Sequence, residues 1–299
     1  MPARSRLSIA KQDILSLFSS ASQKIYGRKE LARVLLQNRR SWHLAAYTNL
    51  ADFISFLMRQ GDLQAHKLRS KSSTTEITRY SWGTASPLEL ATSLKAGAYV
   101  CHSTAAALHG LADLNPNIIY LNAEQSIKPA GDRSLTQDAI DRAFSAQQRQ
   151  SNLVYKYRNT SIVITSGKNS NCLGVEKIIG PTSETIRVTD LERTLIDIVV
   201  RPTYAGGSAR IIEAYRAARN RVSVAKLLDV LKKLNYAYPY HQPIGFLMQT
   251  TGYPKEAYSQ MRSIKMAYDF YLDHRIQQRE YCSDWRLYYP KELQSQLLL

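Results

Sequence analysis

The chain has 299 residues, 44% apolar and 21% charged, with 40 Lys and Arg against 24 Asp and Glu for a net charge of +16. Such a composition is globular and long enough for two domains, and the basic excess points to a polyanionic partner, nucleic acid before membrane. No run approaches the roughly 20 apolar residues of a membrane span, and Lys11 and Asp13 interrupt the apolar positions that follow Arg4 and Arg6, so no secretory signal is expected. A cytoplasmic protein with no membrane partner is expected.

The basic excess is uneven. Residues 1–83 hold 14 Lys and Arg against 5 Asp and Glu, whereas residues 84–299 hold 26 against 19. Three helices can be read in the first segment. Ile9, Ile14, Leu15, Leu17 and Phe18 mark one, and Leu31, Val34, Leu35 and Leu36 mark a second, entered at Gly27. Leu50, Phe53, Ile54, Leu57 and Met58 mark a third that stops at Gly61. Two extended runs around the polar tip Ser70–Thr75 then read as a hairpin. Three helices and a hairpin in this span form the plan of a winged helix-turn-helix, whose third helix enters the major groove while the wing follows the backbone. The turn and third-helix start offer Arg39, Arg40, Trp42, His43, Tyr47, Thr48 and Asn49, and the wing offers Lys67, Arg69, Lys71 and Arg79. Arg and Lys suit phosphates and guanine edges, Asn and Thr suit base edges. Trp42 fits either this face or the core, and the same plan also serves protein docking.

Ser86, Pro87 and Glu89 make a capped helix start, so a second domain is expected over 84–299, with a sheet-containing part at about 84–189 and a helical part at about 190–299. Tyr99-Val100 reads as a strand leading into "CHSTAAALHG", where Ser103 or Thr104 caps a helix and Gly110 ends it. Adjacent Cys101 and His102 do not make a nucleophile–base pair at such a junction. "NIIYLN" is strand-like, and residues 124–150 read as a loop with a polar, exposed helix. "LVYKY", "SIVIT", "LGVEKII" and "TIRV" read as short strands. In "VTDLERTLIDIVV", Thr189 and Glu192 are read as a capping box, with Leu191, Leu195, Ile196 and Val199 facing inward. Ten of the nineteen tyrosines lie from Tyr236 onward, on what reads as helices. They fit either half-buried packing or a partner surface. The fold class expected is therefore α+β, a winged helix followed by a larger mixed domain.

The combination resembles the AbiEi family, the antitoxins and autorepressors of bacterial AbiE-type (type IV) toxin–antitoxin systems. The resemblance runs from about Ile9 to Pro290 and rests most on Ser103-x-x-Ala106-x-x-His109-Gly110-Leu111, on Glu192-Arg193-Thr194-Leu195-x-Asp197, and on Gly206-Gly207. It implies that the winged helix binds inverted repeats in the chain's own promoter. It implies also that the larger domain counters a nucleotidyltransferase-like toxin, directly or through the toxin's target. Ser103, His109, Gly110, Glu192, Arg193 and Asp197 are its motif positions, structural or antitoxic, and the resemblance assigns no catalytic residue. The family often has Ser or Pro-Ser where this chain has Cys101-His102, and residues 124–150 carry no match.

Two other readings stand beside this one. A nuclease would need a carboxylate-x-Lys element, and no Asp or Glu is followed two places later by Lys. "TSGKNS" lacks the upstream glycine of a phosphate-binding loop, since that position is Ile162. Neither CxxC nor His-x-x-x-His appears, and Cys101, Cys172 and Cys282 are odd in number and far apart, so reduced thiols, no metal and no cofactor are expected. A winged-helix transcription regulator with a ligand-sensing or dimerising second domain is the alternative to an antitoxin.

Overall fold

The computed structural model describes residues 5–113, 115–127 and 135–297, so residues 128–134 of the expected polar segment lie outside it. The chain is mixed α+β. Its elements begin with α1 (Arg6–Ile9), α2 (Lys11–Ser20), β1 (Ile25–Gly27), α3 (Arg28–Asn38), α4 (Leu50–Gln60), β2 (Leu63–Ser70), β3 (Glu76–Trp82) and α5 (Pro87–Thr92). There follow β4 (Tyr99–Val100), α6 (His102–Leu108), β5 (Ile118–Asn122), α7 (Gln137–Ser145), β6 (Val154–Tyr157), β7 (Thr160–Thr165), β8 (Val175–Ile179) and β9 (Thr185–Thr189). The rest comprises α8 (Leu191–Val200), α9 (Pro202–Ala205), α10 (Ser208–Ala218), α11 (Val224–Leu234), α12 (His241–Thr250) and α13 (Lys255–Arg262), then β10 (Phe270–Tyr271), β11 (Arg279–Cys282) and β12 (Leu287–Pro290). Among the described residues no helix is long and apolar enough to cross a membrane. Two compact units result, Met1–Ala96 with Leu153–Ile162, and Gly97–Asn152 with Val163–Leu299.

In the first unit, Ile14 and Phe18 of α2, Leu31 and Leu35 of α3, and Phe53 and Leu57 of α4 are buried. Each pair is four residues apart, which places it on one helix face. Phe18 stacks on Trp82 at 5.0 Å and meets Tyr26 edge-on at 5.3 Å. A Cβ on Gly61 would come within 2.5 Å of Trp82, so the end of α4 requires glycine. The hairpin pairs Ala65 with Tyr80, and β1 adds to it through Tyr26 and Tyr80. On the other edge of β2 lies β6, through Arg69↔Lys156 and Ser70↔Tyr155. Buried His66 sits at this seam, with Nδ1 2.9 Å from the Tyr157 hydroxyl and Nε2 2.8 Å from Ser81 Oγ. Ser81 donates its one proton to Gly83 O at 2.7 Å, so His66 Nε2 donates to Ser81 and Nδ1 accepts from Tyr157. Burial, and after it the charge of Arg158, lowers the His66 pKa.

Several expectations change here. The first helix is two, broken at Ala10, and Ile9 and Leu36 face solvent. The three-residue β1 was not foreseen. The compact division falls after Ala96 instead of Gly83, because β6 pairs with the hairpin and Arg79 donates to the Ser93 carbonyl at 3.2 and 3.1 Å.

In the second unit, β4 pairs antiparallel with β5 (Val100↔Leu121) and parallel with β9 (Val100↔Val188), and β9 pairs antiparallel with β8. Helix α8 carries Leu195, Ile196, Ile198 and Val199 into a core shared with Ile211, Tyr215, Leu227, Phe246 and Trp285. Helix α7 is not the exposed polar helix expected, since Ile140 and Phe144 anchor it in that core. The last part is not wholly helical either. After α13 the chain forms a three-stranded sheet in the order β10-β12-β11, with Tyr271↔Tyr288 and Tyr281↔Tyr288 in register.

Candidate nucleic-acid interface

The residues drawn from the sequence as DNA contacts divide into two sets. Trp42 is in the core, 5.9 Å from Phe53, and is not available to a ligand. Arg39 caps the end of α3 and donates to the carbonyls of Ala45, Ala46 and Thr48, so its guanidinium organises the turn before α4. Thr48 is buried, and Arg79 is held by the carbonyls of Ser93 and Leu94. These four shape the surface from behind.

The other seven face solvent: Arg40, His43, Tyr47, Asn49, Lys67, Arg69 and Lys71. His43 has a left-handed backbone (φ 49°), which turns the chain sharply before Leu44 re-enters the core. Tyr47 is 87% exposed. Asn49 caps α4, its Oδ1 accepting from Asp52 N at 2.9 Å. In the hairpin, Lys67 and Arg69 share Glu76, each at 3.3 Å, while the Lys71 backbone N–H donates to Val154 O at 2.8 Å and leaves its ammonium exposed. Desolvation alone would raise the Glu76 pKa, but the hydrogen bonds from Lys67 and Arg69 outweigh it and lower that pKa.

Two arginines belong here that sequence reading missed. Arg6 and Arg59 line a groove of about 500 Å³ together with Tyr47, Asp52 and Phe56. The periodicity of α4 held the signal for Arg59, which follows the exposed positions Asp52 and Ser55 at three- and four-residue steps. Arg6 lies on a four-residue helix whose placement no pattern revealed. Counted over the first compact unit, Lys and Arg number 17 against 6 Asp and Glu, a net +11 of the chain's +16.

Of the motif residues of the second unit, Glu192, Arg193 and Asp197 are buried, Ser103 and His109 half-buried and Gly110 exposed. Ser103 is the second residue of α6, and the helix starts two or three residues earlier than a cap at Ser103 or Thr104 would place it, with Cys101 at the N-cap and no side-chain cap. Thr104 Oγ1 instead accepts from Tyr120 N at 3.0 Å. At the other end His109 Nε2 lies 2.6 Å from Thr189 O and therefore donates to it, and Gly110 takes the left-handed φ of 68°. The N-cap of α8 is Asp190, which accepts from Arg193 N at 2.8 Å, so the expected Thr189–Glu192 capping box is replaced. Glu192 reaches across to α11 and accepts from Ser223 N at 2.9 Å and Lys226 Nζ at 2.8 Å. Arg193 pairs with Asp197 at 2.8 Å and donates to Leu173 O at 2.8 Å. Glu124 accepts from Tyr99, Ser170 and Cys172, and these bonds outweigh its desolvation and lower its pKa. Burial pushes the Cys101 thiol well above its ordinary pKa, the reverse of what an activated nucleophile needs. Among the described residues no three His, Cys, Asp or Glu side chains come together to hold a metal ion.

The chain matches no protein-family model and no curated protein sequence. Its structure is similar to the crystal structure of the RV2827C protein from Mycobacterium tuberculosis, with a TM-score of 0.57 over 96% of this chain and 93% of that one. At 15% identity the likeness is one of fold.

Proposed function

We propose that the chain is a DNA-binding autorepressor and antitoxin of the AbiE type. On this reading the first unit is a winged helix that binds inverted repeats in the chain's own promoter, and the second counters a nucleotidyltransferase-like toxin. The observation that carries it is the net +11 gathered in the first unit, whose α2, α3, α4 and β2–β3 hairpin follow the order such a domain requires. Seven polar or basic side chains from the turn and hairpin face solvent there, with Arg6 and Arg59 beside them. The motif residues Glu192, Arg193 and Asp197 act in the antitoxic unit by holding its core together. The test is a gel-shift titration of the whole protein against its own promoter and a random duplex across a salt series. Preference for the promoter is expected, with a log–log salt slope near −0.9 for each phosphate neutralised. Lys71→Ala should flatten that slope by about one unit without changing the preference. Equal affinity for both duplexes would reject the reading.

A further inference from the structure

Helix α4 exposes Ala51, Asp52, Ser55, Met58, Arg59 and Gln60, and Gln60 Oε1 accepts from Lys11 Nζ at 2.9 Å. Ala51 and Met58 offer no hydrogen-bonding donor or charge, and Arg59 Nε is folded back onto the Ser55 carbonyl at 3.2 Å. The cap uses the side-chain oxygen of Asn49. That leaves Asp52 as the charged acceptor on this face, and among the described residues it forms no ion pair although Arg6 and Arg59 line the same groove. A carboxylate is out of place on a surface shaped for phosphates, because each phosphate nearby repels it. It is in place where the surface meets base edges, since the exocyclic amino groups are the hydrogen-bond donors of the major groove.

We infer that Asp52 is the residue of this interface that reads sequence, its carboxylate accepting a hydrogen bond from the N4 amino group of a cytosine. The inference rests on the DNA-binding reading above, with α4 as the helix in the major groove. It lies in the first turn of α4, the part of a recognition helix that approaches the bases. Arg6 and Arg59 then flank the contact and hold the phosphates on either side of it, while Tyr47 lines the same groove. The single negative charge works as a filter. It weakens binding to every sequence that lacks the amino group at that position, and the hydrogen bond offsets the phosphate repulsion where the group is present.

The experiment incubates the whole protein, as wild type, Asp52→Asn and Asp52→Ala, with a pool of random-sequence duplexes and sequences what is retained. Affinities for the selected and random duplexes are then compared at one salt concentration. Wild type should enrich a motif with cytosine at one position of each half-site, worth roughly ten- to hundredfold in affinity. Asp52→Asn should change preference at that position alone, towards adenine, whose N6 and N7 suit the amide. Asp52→Ala should lose the preference there and bind random duplex more tightly than wild type. The same motif from all three proteins, or an equal loss on both duplexes, would show that Asp52 only supports its helix and would overturn the inference. No motif from wild type would instead sink the DNA-binding reading itself. Thermal unfolding followed by circular dichroism identifies a misfolded Ala variant, and the near-isosteric Asn variant still decides.

Discussion

Arg193 is 3% exposed and stays charged because Asp197, Ser170 Oγ and Leu173 O accept from it. Its pKa is raised although burial alone would lower it, since Asp197 outweighs the desolvation. Arg193→Met would strand the Asp197 carboxylate, itself 6% exposed, and remove the donor from Leu173 O. A loss of about 3–5 kcal/mol in urea unfolding is expected, and Arg193→Met with Asp197→Leu should recover much of it. The sequence assigned the cap of this helix to Thr189, one residue early. Two adjacent capping side chains cannot be ranked by spacing alone, and the distant Ser223 and Lys226 that engage Glu192 leave no local trace. A second residue-scale outcome concerns pH. Burial pushes His102 and His241 down to about 4, and His102 Nδ1 and His241 Nε2 have no partner among the described residues. Above pH 6.5 both are neutral whether the chain is folded or not, so their contribution is fully present. Between 6.5 and 4 the unfolded chain takes up protons that the folded chain refuses, and stability should fall by about 1.4 kcal/mol per pH unit for each histidine. His102→Asn, which tolerates the left-handed φ of 51° at that site, should remove one share of that slope. Urea unfolding at pH 7, 6 and 5 measures it, and an unchanged slope would mean that His102 titrates freely.

At the scale of elements, helices and strands with a repeating pattern were legible, and short or non-local ones were not. The hairpin falls at Leu63–Ser70 and Glu76–Trp82 around the expected tip, and the capping box of Ser86 and Glu89 is present. The sheet β10-β12-β11 was invisible because its strands have two to four residues, too few for a period of two to show. It turns Phe270 and Leu287 inward and sets Tyr271, Tyr288 and Tyr281 in a row, the first two rings stacked at 5.1 Å and the last two tilted at 4.8 Å, with Arg279 4.4 Å from the Tyr288 ring. Part of the tyrosine enrichment is therefore a sheet face. The seam between β2 and β6 was equally hidden, since His66 and Tyr157 are 91 residues apart. Tyr157→Phe should cost about 0.5–1.5 kcal/mol by leaving His66 Nδ1 without its donor. It should also loosen β6, so amide exchange at Lys71, whose N–H donates to Val154, should quicken while exchange in α2 and α3 stays unchanged.

At the scale of the whole molecule, the compact units are discontinuous in sequence, and that decides where the chain can be cut. Composition showed the basic excess but placed its end at Gly83, because a strand that returns from 70 residues later leaves no composition step. Residues 153–162 add Lys156 and Arg158 to the first unit and no acid, so the charge asymmetry is sharper in space than along the chain. A fragment of residues 84–299 would carry β6 without β2, its partner at Arg69↔Lys156 and Ser70↔Tyr155. It would also leave Tyr157 without His66, and α5 without the arginine that binds the Ser93 carbonyl. An unpaired strand edge is a template for pairing with another copy. The fragment should therefore elute from a sizing column as soluble aggregate or a mixture of sizes, where the full chain gives one narrow peak. Adding Lys156→Glu and Tyr155→Lys to that edge should restore a single species, because charges on an edge strand block pairing between copies. A sharp monomer peak from the unmodified fragment would show that the second unit folds without the first and that residues 153–162 follow either unit. The proposed repression and antitoxicity could then be tested apart by a cut at Gly83. If the aggregate appears, they must be separated by point substitutions, Lys71→Ala for one unit and Arg193→Met for the other.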